Sequence, residues 1–148
     1  MRVVLDTNLL ISALISEQGA PARLIDAWDD QRFVLVSSEE QLDEFKTVTR
    51  HERLAPFIER SDVGRFINQI RAEALILGKL PHMDRSTDPA DNFLLAMAET
   101  GEADYLVSGD RRGVLALAQH GRTQIVTARA MIKTLGLESK QPNPGAKK

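Results

Sequence analysis

Residues 2–8 of the chain are Arg-Val-Val-Leu-Asp-Thr-Asn, a short apolar run that ends abruptly in three polar residues. The apolar run favours a buried β-strand, and apolar residues spaced three and four apart over residues 9–16 predict a helix directly after it. Three later apolar runs are also followed by segments with helical periodicity, at residues 33–36, 105–108 and 124–126. Strands that alternate with helices predict an α/β fold, with a short parallel sheet and helices on both faces.

Capping residues place the ends of several predicted helices. Ser37 and Ser38 offer hydroxyl N-caps to an acidic helix that runs to about residue 50, and Asp88 before Pro89 opens a helix that stops at Gly101. Residues 74–77 fit either an extension of the preceding helix or a short strand. The remaining helices are predicted at residues 21–30, 61–72, 113–119 and 128–135.

The length and composition fit a single globular domain. The 148 residues include 19 Lys/Arg and 21 Asp/Glu, and the resulting net charge of −2 argues against binding nucleic acid by bulk charge. The chain has no cysteine, which excludes disulfides and thiolate chemistry. No apolar run reaches the roughly 18 residues of a membrane span, and the early Asp6 does not fit a secretory signal. We therefore expect a cytoplasmic protein that does not bind a membrane.

Two acids stand at the carboxyl ends of predicted strands, where open α/β sheets bind ligands. Asp6 closes the first strand, and Asp110 follows a later one. Asp104 begins that later strand, so it lies roughly 13–17 Å away at the opposite edge of the sheet, and we exclude it from the site. Asp91 sits in the first turn of its helix, where the helix dipole alone would favour an acid, and Asp88 is interpreted as an N-cap.

Glu44 is the acid nearest the buried side of its helix. With successive residues about 100° apart, Glu44 lies only about 40° from Val48, on the edge of the face that also holds Leu42 and Phe45. The other acids of this helix point away from that face and are interpreted as a solvated surface: Glu39, Glu40 and Asp43. Glu44 is therefore a candidate site residue.

Two small polar residues accompany the strand-end acids. Asn8 either caps the first helix or orients a water at a metal ion, and Ser108 is placed to hydrogen-bond a carboxylate. The three histidines lie in polar contexts without metal-ligand spacing, and the chain has no Gly-rich phosphate loop and no Ser-His-Asp order. These observations argue against a hydroxyl or imidazole catalyst.

Three motifs and the helix acid Glu44 carry this constellation. The motifs are Leu-Asp-Thr-Asn at residues 5–8, Asp-Pro-Ala-Asp-Asn at residues 88–92 and Tyr-Leu-Val-Ser-Gly-Asp at residues 105–110. Together they resemble the PIN-domain family, in particular the small bacterial toxin components of toxin–antitoxin modules (VapC-like). The likeness covers about residues 1–135. We therefore expect a single PIN-like nuclease domain at residues 1–138, followed by a disordered tail at residues 139–148, which has nothing to bury.

The resemblance implies a metal-dependent ribonuclease whose acidic quartet falls on Asp6, Glu44, Asp91 and Asp110. Four converging carboxylates repel one another without a cation, and ligands that are all oxygens suit Mg²⁺ or Mn²⁺. Asp6, Asp91 and Asp110 would hold the metal directly or through water, and Glu44 would bind metal or help deprotonate the attacking water. The resemblance also implies a homodimer and an antitoxin protein whose segment blocks the acidic pocket.

The substrate implied by the resemblance is RNA, which would approach the pocket along nearby cations that contact phosphates without reading sequence. The candidates are Lys46, Arg50, Arg53, Arg111 and Arg112. The chain departs from the family pattern here, because Arg-Arg-Gly at residues 111–113 stands where the family often has an acid or an apolar pair. A smaller departure is Ser108, where the family commonly has Thr.

Two other classes of protein compete with this interpretation. A phospho-accepting receiver or phosphatase also places an Asp after a parallel strand, but Asp6 has no neighbouring acid and no Lys follows the last predicted strand. A non-catalytic binding or regulatory module on the same fold is the second alternative. The intact acidic quartet argues against that module, and a metal-dependent nuclease assay discriminates between the two hypotheses.

Overall fold

Strands and helices alternate along the described part of the chain, residues 1–137 of a computed structural model. Residue 138 of the expected domain and the tail expected at residues 139–148 lie outside the described residues. Two short 3-10 helices occupy Ala55–Phe57 and Val114–Leu117. In chain order, the other elements are β1 (Arg2–Leu5), α1 (Thr7–Ile15), α2 (Ala20–Asp29), β2 (Val34–Ser38), α3 (Glu39–Thr49), α4 (Arg60–Glu73), β3 (Leu75–Leu77), α5 (Pro89–Thr100), β4 (Tyr105–Val107), β5 (Gln119–His120), β6 (Thr123–Val126) and α6 (Ala128–Thr134).

Six strands form one sheet in the spatial order β3-β2-β1-β4-β6-β5. Neighbouring strands run parallel, except that β5 at the edge pairs antiparallel with β6. The register places Val4 of β1 beside Val36 of β2 and Leu106 of β4, so the carboxyl ends of the three central strands meet at one edge. The predicted α/β fold with a short parallel sheet is confirmed.

The central strand contributes to two apolar cores, one on each face of the sheet. Val3 and Leu5 pack into a core formed with α1, α2, α3, α4 and α6. Val4 and Leu106 pack into the second core, which α5 and Val114 complete. Successive side chains of a strand point to opposite faces, so a strand that is covered on both faces is apolar at almost every position. Among the described residues, no helix is long and apolar enough to cross a membrane.

The helix predicted at residues 113–119 is wrong. A 3-10 turn ends at Leu117, and Ala118 then adopts a left-handed backbone with φ of 62°. Gly121, with φ of 57°, closes the antiparallel hairpin between β5 and β6. The apolar residues of this segment form only a short 3-10 helix. The chain then returns to the sheet, where the backbone N–H of Ile125 donates to Ala118 O at 2.9 Å.

Side-chain caps set the starts of four helices, one of which is α6, where Thr127 Oγ1 accepts the N–H of Ala130 at 3.1 Å. Ser38 Oγ accepts the N–H of Gln41 at 3.0 Å, and Asp88 Oδ1 accepts the N–H of Ala90 at 2.9 Å, which confirms both predicted N-caps. Helix α1 begins earlier than predicted because its N-cap is Asp6, whose Oδ1 accepts the N–H of Asn8 at 3.1 Å. Asn8 therefore lies within the helix and does not cap it. Residues 75–77 form strand β3, so they do not extend α4.

Candidate functional site

An acidic cleft of about 90 Å³ lies at the carboxyl edge of the sheet. Five acids line this cleft, and one of them is Asp88, the N-cap of α5. The other four come from four elements: Asp6 follows β1, Glu44 lies in α3, Asp91 lies in the first turn of α5 and Asp110 follows β4. These are the four acids of the sequence-derived quartet. Asn8 also lines the cleft, and its backbone N–H rather than its side chain contacts Asp6.

Ser108 ties the two strand-end acids together. Its hydroxyl donates to Asp6 Oδ2 at 2.8 Å, and the same oxygen accepts the backbone N–H of Asp110 at 3.1 Å. Ser108 is fully buried at the end of β4, and the backbone N–H of Asp6 donates to Val107 O at 2.9 Å. The relative position of Asp6 and Asp110 is therefore set by the pairing of β1 with β4.

Gly113 lies directly against the carboxylate of Asp110. Its N–H donates to Asp110 Oδ1 at 3.0 Å, and a Cβ added at Gly113 would stand 2.3 Å from Asp110 Oδ2 and 2.9 Å from Asp91 Oδ1. Only a residue without a side chain leaves room for both carboxylates here. The backbone N–H of Arg112 also donates to Asp110 Oδ1, at 3.2 Å. The turn after β4 thus cradles Asp110 with backbone groups.

Asp91 is the buried acid of the cleft, with 5% of its surface exposed. Burial is the main influence on its ionisation and raises the pKa of its carboxyl above the usual range. The Ser86 hydroxyl, which donates to Asp91 Oδ2 at 3.0 Å, lowers this pKa, whereas three neighbouring carboxylates raise it, those of Asp88, Asp110 and Asp6. The charged form of Asp91 is therefore disfavoured, and no cationic side chain pairs with it among the described residues.

Asn92 holds the loop that delivers Ser86. Its Oδ1 accepts the backbone N–H groups of Arg85 at 3.0 Å and Ser86 at 2.8 Å, and its Nδ2 donates to Ser86 O at 2.7 Å. The amide side chain thus satisfies three backbone groups that no helix or strand pairs. This is the physical role of the Asn that follows Asp91 in the sequence motif.

Glu44 is held by a chain of hydrogen bonds that begins in the core. Ser37 and Gln41 are fully buried, and the Ser37 hydroxyl donates to Gln41 Oε1 at 2.7 Å. Gln41 Nε2 donates to Leu5 O at 2.7 Å and to Thr7 Oγ1 at 3.3 Å. Thr7 has one hydroxyl proton, which it donates to Glu44 Oε1 at 2.6 Å. The network fixes one oxygen of Glu44, and the residue lines the cleft.

Among the described residues, the carboxylates that lie close enough to share a metal ion differ from the expected metal trio of Asp6, Asp91 and Asp110. Oxygens of Asp88, Asp91 and Asp110 lie within 4.8 Å of one another. The sequence predicts only an N-cap role for Asp88, and its Oδ1 does fill that role. Asp6 lines the same cleft, but its two oxygens accept hydrogen bonds from Asn8 and Ser108.

This donor set fits a divalent cation. Every donor is a carboxylate oxygen, which hard cations such as Mg²⁺ and Mn²⁺ prefer. The bare Cα of Gly113 leaves open the space that a side chain would take from the two carboxylates, and the buried carboxyl of Asp91 has no cationic partner within residues 1–137. Asp88, Asp91 and Asp110, with Asp6 beside them, could therefore hold the ion.

The cations that are predicted to contact RNA lie in different places, and not all of them are beside the cleft. Arg111 and Arg112 are exposed in the turn directly after Asp110, beside the cleft, and Arg53 is exposed after α3. Lys46 and Arg50 do not line the cleft, because they lie on another face of α3 and line a separate cavity against α4. As predicted, Glu44 is half-buried, whereas the other three acids of this helix are exposed: Glu39, Glu40 and Asp43.

Asp104 has a structural role at the amino edge of the sheet. It accepts the backbone N–H of Arg2 at 2.8 Å and the guanidinium of Arg122 at 2.6 Å. These two contacts hold the pKa of its carboxyl below the usual range. Asp104 is absent from the lining of the acidic cleft.

Fold and site together define a small α/β domain that carries a carboxylate cleft, suited to a divalent cation, at the carboxyl edge of a parallel sheet. A sequence profile described as PIN domain matches residues 2–112, and the chain belongs to the PIN domain family. PIN domains are generally nucleases and typically use divalent metals. The chain is also similar to the uncharacterized protein MJ1680 of Methanocaldococcus jannaschii, with 23% identity over 112 residues, which cover 75% of this chain and 72% of that protein.

Proposed function

We propose that the protein is a Mg²⁺- or Mn²⁺-dependent endoribonuclease that hydrolyses phosphodiester bonds of RNA. The observation that supports this most directly is the convergence of Asp6, Glu44, Asp91 and Asp110 on one cleft from four separate elements. Acids gathered from distant parts of the chain repel one another, so a fold that brings them together needs a compensating cation. Membership of a family of nucleases supplies the reaction class.

The residues of the cleft have different roles in the proposed reaction. Asp91 and Asp110, with Asp88 or Asp6, would bind the cation, which supplies positive charge that activates water and stabilises negative charge on the leaving oxygen. Ser108 and Gly113 keep Asp110 in place through its backbone and its carboxylate. The pocket is therefore assembled before substrate arrives, which is what electrostatic stabilisation of a transition state requires.

Glu44 is the acid best placed to accept a proton. Its Oε1 accepts a hydrogen bond from the Thr7 hydroxyl, and Glu44 lines the cleft beside the other carboxylates. A carboxylate held in this way can take the proton of an attacking water while its orientation stays fixed. Thr7 acts as a positioning residue through its hydrogen bond to Glu44, and Gln41 acts through Thr7.

We further propose that the protein is the toxin of a toxin–antitoxin pair (VapC-like), works as a homodimer in the cytoplasm, and is inhibited by an antitoxin segment that blocks the acidic cleft. The motifs of the sequence support this proposal. Expression in bacterial cells is expected to arrest growth for the wild type and not for Asp91→Asn. Co-expression of the antitoxin, the expected product of an adjacent small reading frame, should relieve the growth arrest. Sedimentation of the purified protein should give twice the mass of one chain, as expected for a homodimer.

The nuclease proposal is tested on a labelled single-stranded RNA with Mn²⁺. Glu44→Gln should lower the cleavage rate by about 10²–10⁴-fold, because it removes the proton acceptor without changing its size. Asp43→Asn, an exposed neighbour on the same helix, is the matched control and should cleave at the wild-type rate. RNA that stays intact with the wild-type protein, while Mn²⁺ binding is detected by calorimetry, would instead favour a non-catalytic PIN-fold module.

A further inference from the structure

A second cavity, of about 230 Å³, lies between α3 and α4. Three cations and an apolar floor line it: Lys46, Arg50 and Arg60 with Ile58, Val63 and Ile67. No acid lines the cavity, and none of the three cations forms an ion pair within residues 1–137. Positive charge without a counter-ion, beside apolar surface, suits a ligand that is anionic at one end and flat and apolar at the other.

The presence of glycine at position 64 distinguishes this cavity from an ordinary surface depression. Gly64 lies within α4 and lines the cavity, yet a Cβ added to it would meet no atom within 4 Å. Packing therefore does not require glycine here, although glycine in a helix is less stable than alanine by roughly 0.5–1 kcal/mol. The missing side chain leaves a flat strip of helix open to the cavity.

Helix α3 joins this cavity to the acidic cleft. Glu44 and Val48 face the cleft, while Lys46 and Arg50 face the cavity, so the two sites are separated by about one helix diameter, 10–12 Å. About three or four nucleotides span this distance even at the spacing of 3.4 Å per phosphate found in a duplex.

We propose that this interhelical cavity binds one nucleotide of the RNA strand that is cleaved in the acidic cleft, a proposal that rests on the function proposed above. The base lies on the helix surface at Gly64 and Ile67, and the flanking phosphates contact Arg50 and Arg60. A protein with a net charge of −2 and an acidic cleft needs such local cations to hold a polyanion. The cavity thus supplies binding energy that the cleft cannot supply.

The test is fluorescence anisotropy of a labelled single-stranded RNA of about 12 nucleotides, in chelator so that no cleavage occurs. Gly64→Leu, which fills the cavity with a good helix former, should weaken binding about tenfold while the melting temperature stays equal or rises. Arg60→Ala should make the slope of log K against log salt shallower by about 0.7. Arg65→Ala, on the same helix but outside the cavity lining, should match the wild type in both measurements.

Unchanged RNA binding by both Gly64→Leu and Arg60→Ala overturns the proposal, and an acidic protein segment then becomes the ligand class to seek. Failure of the function proposed above looks different. In that case RNA binding depends on Gly64, but wild-type protein with Mn²⁺ leaves the RNA intact. Wild-type protein that binds no RNA overturns both proposals.

Discussion

The Ser108 hydroxyl donates a 2.8 Å hydrogen bond to Asp6 Oδ2, although the two residues are 102 positions apart in the chain. They meet because β1 and β4 are neighbours in the sheet and both end at this edge. The same hydroxyl oxygen accepts the N–H of Asp110. One buried side chain therefore orients both strand-end acids of the cleft.

Ser108→Ala should weaken Mn²⁺ binding by about 10–100-fold, the usual effect of removing a group that orients metal ligands. The free energy of unfolding should fall by about 1 kcal/mol through the lost hydrogen bond. Ser108→Thr keeps the hydroxyl and should retain most of the affinity. Isothermal titration calorimetry with Mn²⁺ measures the affinities of the three proteins, and urea unfolding measures their stabilities. Equal affinities for Ala and Ser would show that the bond is only structural.

Gly113→Ala should damage the cleft more than any other glycine substitution in its loop. The new Cβ would stand 2.3 Å from Asp110 Oδ2, so the carboxylate must move, with an expected loss of about 1–3 kcal/mol in stability and a clear loss of Mn²⁺ affinity. Gly109→Ala is the matched control, because its Cβ would meet nothing within 4 Å. If the two variants bind Mn²⁺ equally well, Asp110 does not need its observed position.

Those parts of the site that follow from regular geometry could be predicted from the sequence. Asp6 and Asp110 were identified because parallel strands place their carboxyl ends at one edge. Glu44 was identified because the periodicity of α3 puts it beside the apolar face. The same reasoning placed Asp104 outside the cleft, at the other end of β4. These rules need only the element type and its direction.

Contacts that depend on the path of irregular segments could not be predicted. Gly113 and Ser86 reach the acids through turns, whose course is set by backbone hydrogen bonds to Asp110 and Asn92. Lys46 is different, because it lies two residues after Glu44 and therefore about 200° around α3, so periodicity alone places it away from the cleft. Only the cavity that it lines depends on where α4 packs. Gln41 did give a signal, since it is a polar residue on the buried face of α3, but its partner Thr7 lies 34 positions away.

The stability of the protein should depend on Asp104 in acid solution. The Arg2 N–H and the Arg122 guanidinium lower the pKa of this carboxyl in the folded state, so the unfolded chain binds its proton more readily. The stabilisation is present above the unfolded pKa of about 3.9 and is lost as the pH falls through the folded value. In urea unfolding between about pH 6 and pH 3, Asp104→Asn should lose less stability than the wild type. Parallel curves would contradict the assignment.

Ionisation of Asp91 should affect the stability of the folded protein in the opposite direction to that of Asp104. Because burial raises the pKa of its carboxyl in the folded state, the unfolded chain releases this proton first, and ionisation of Asp91 at neutral pH destabilises the metal-free protein. Asp91→Asn removes the charge and keeps an oxygen for the Ser86 hydroxyl. In chelator, we therefore expect Asp91→Asn to melt at a higher temperature than the wild type.

The response to metal is the sharper measurement, because Asp91 also lies in the first turn of α5 and its loss there removes about 0.3–1 kcal/mol of interaction with the helix dipole. Binding to the folded state alone stabilises by RT ln(1 + [L]/Kd), about 2.7 kcal/mol at 100 times Kd. Wild-type protein should gain about this much from Mn²⁺, and Asp91→Asn, which has lost a carboxylate ligand, should gain much less.

Asp104→Asn starts from a lower stability, since it breaks the contacts with Arg2 and Arg122, but its gain from Mn²⁺ should equal that of the wild type. If differential scanning calorimetry finds the same gain in all three proteins, Asp91 does not belong to the metal site, and the convergence of the four acids needs another cause.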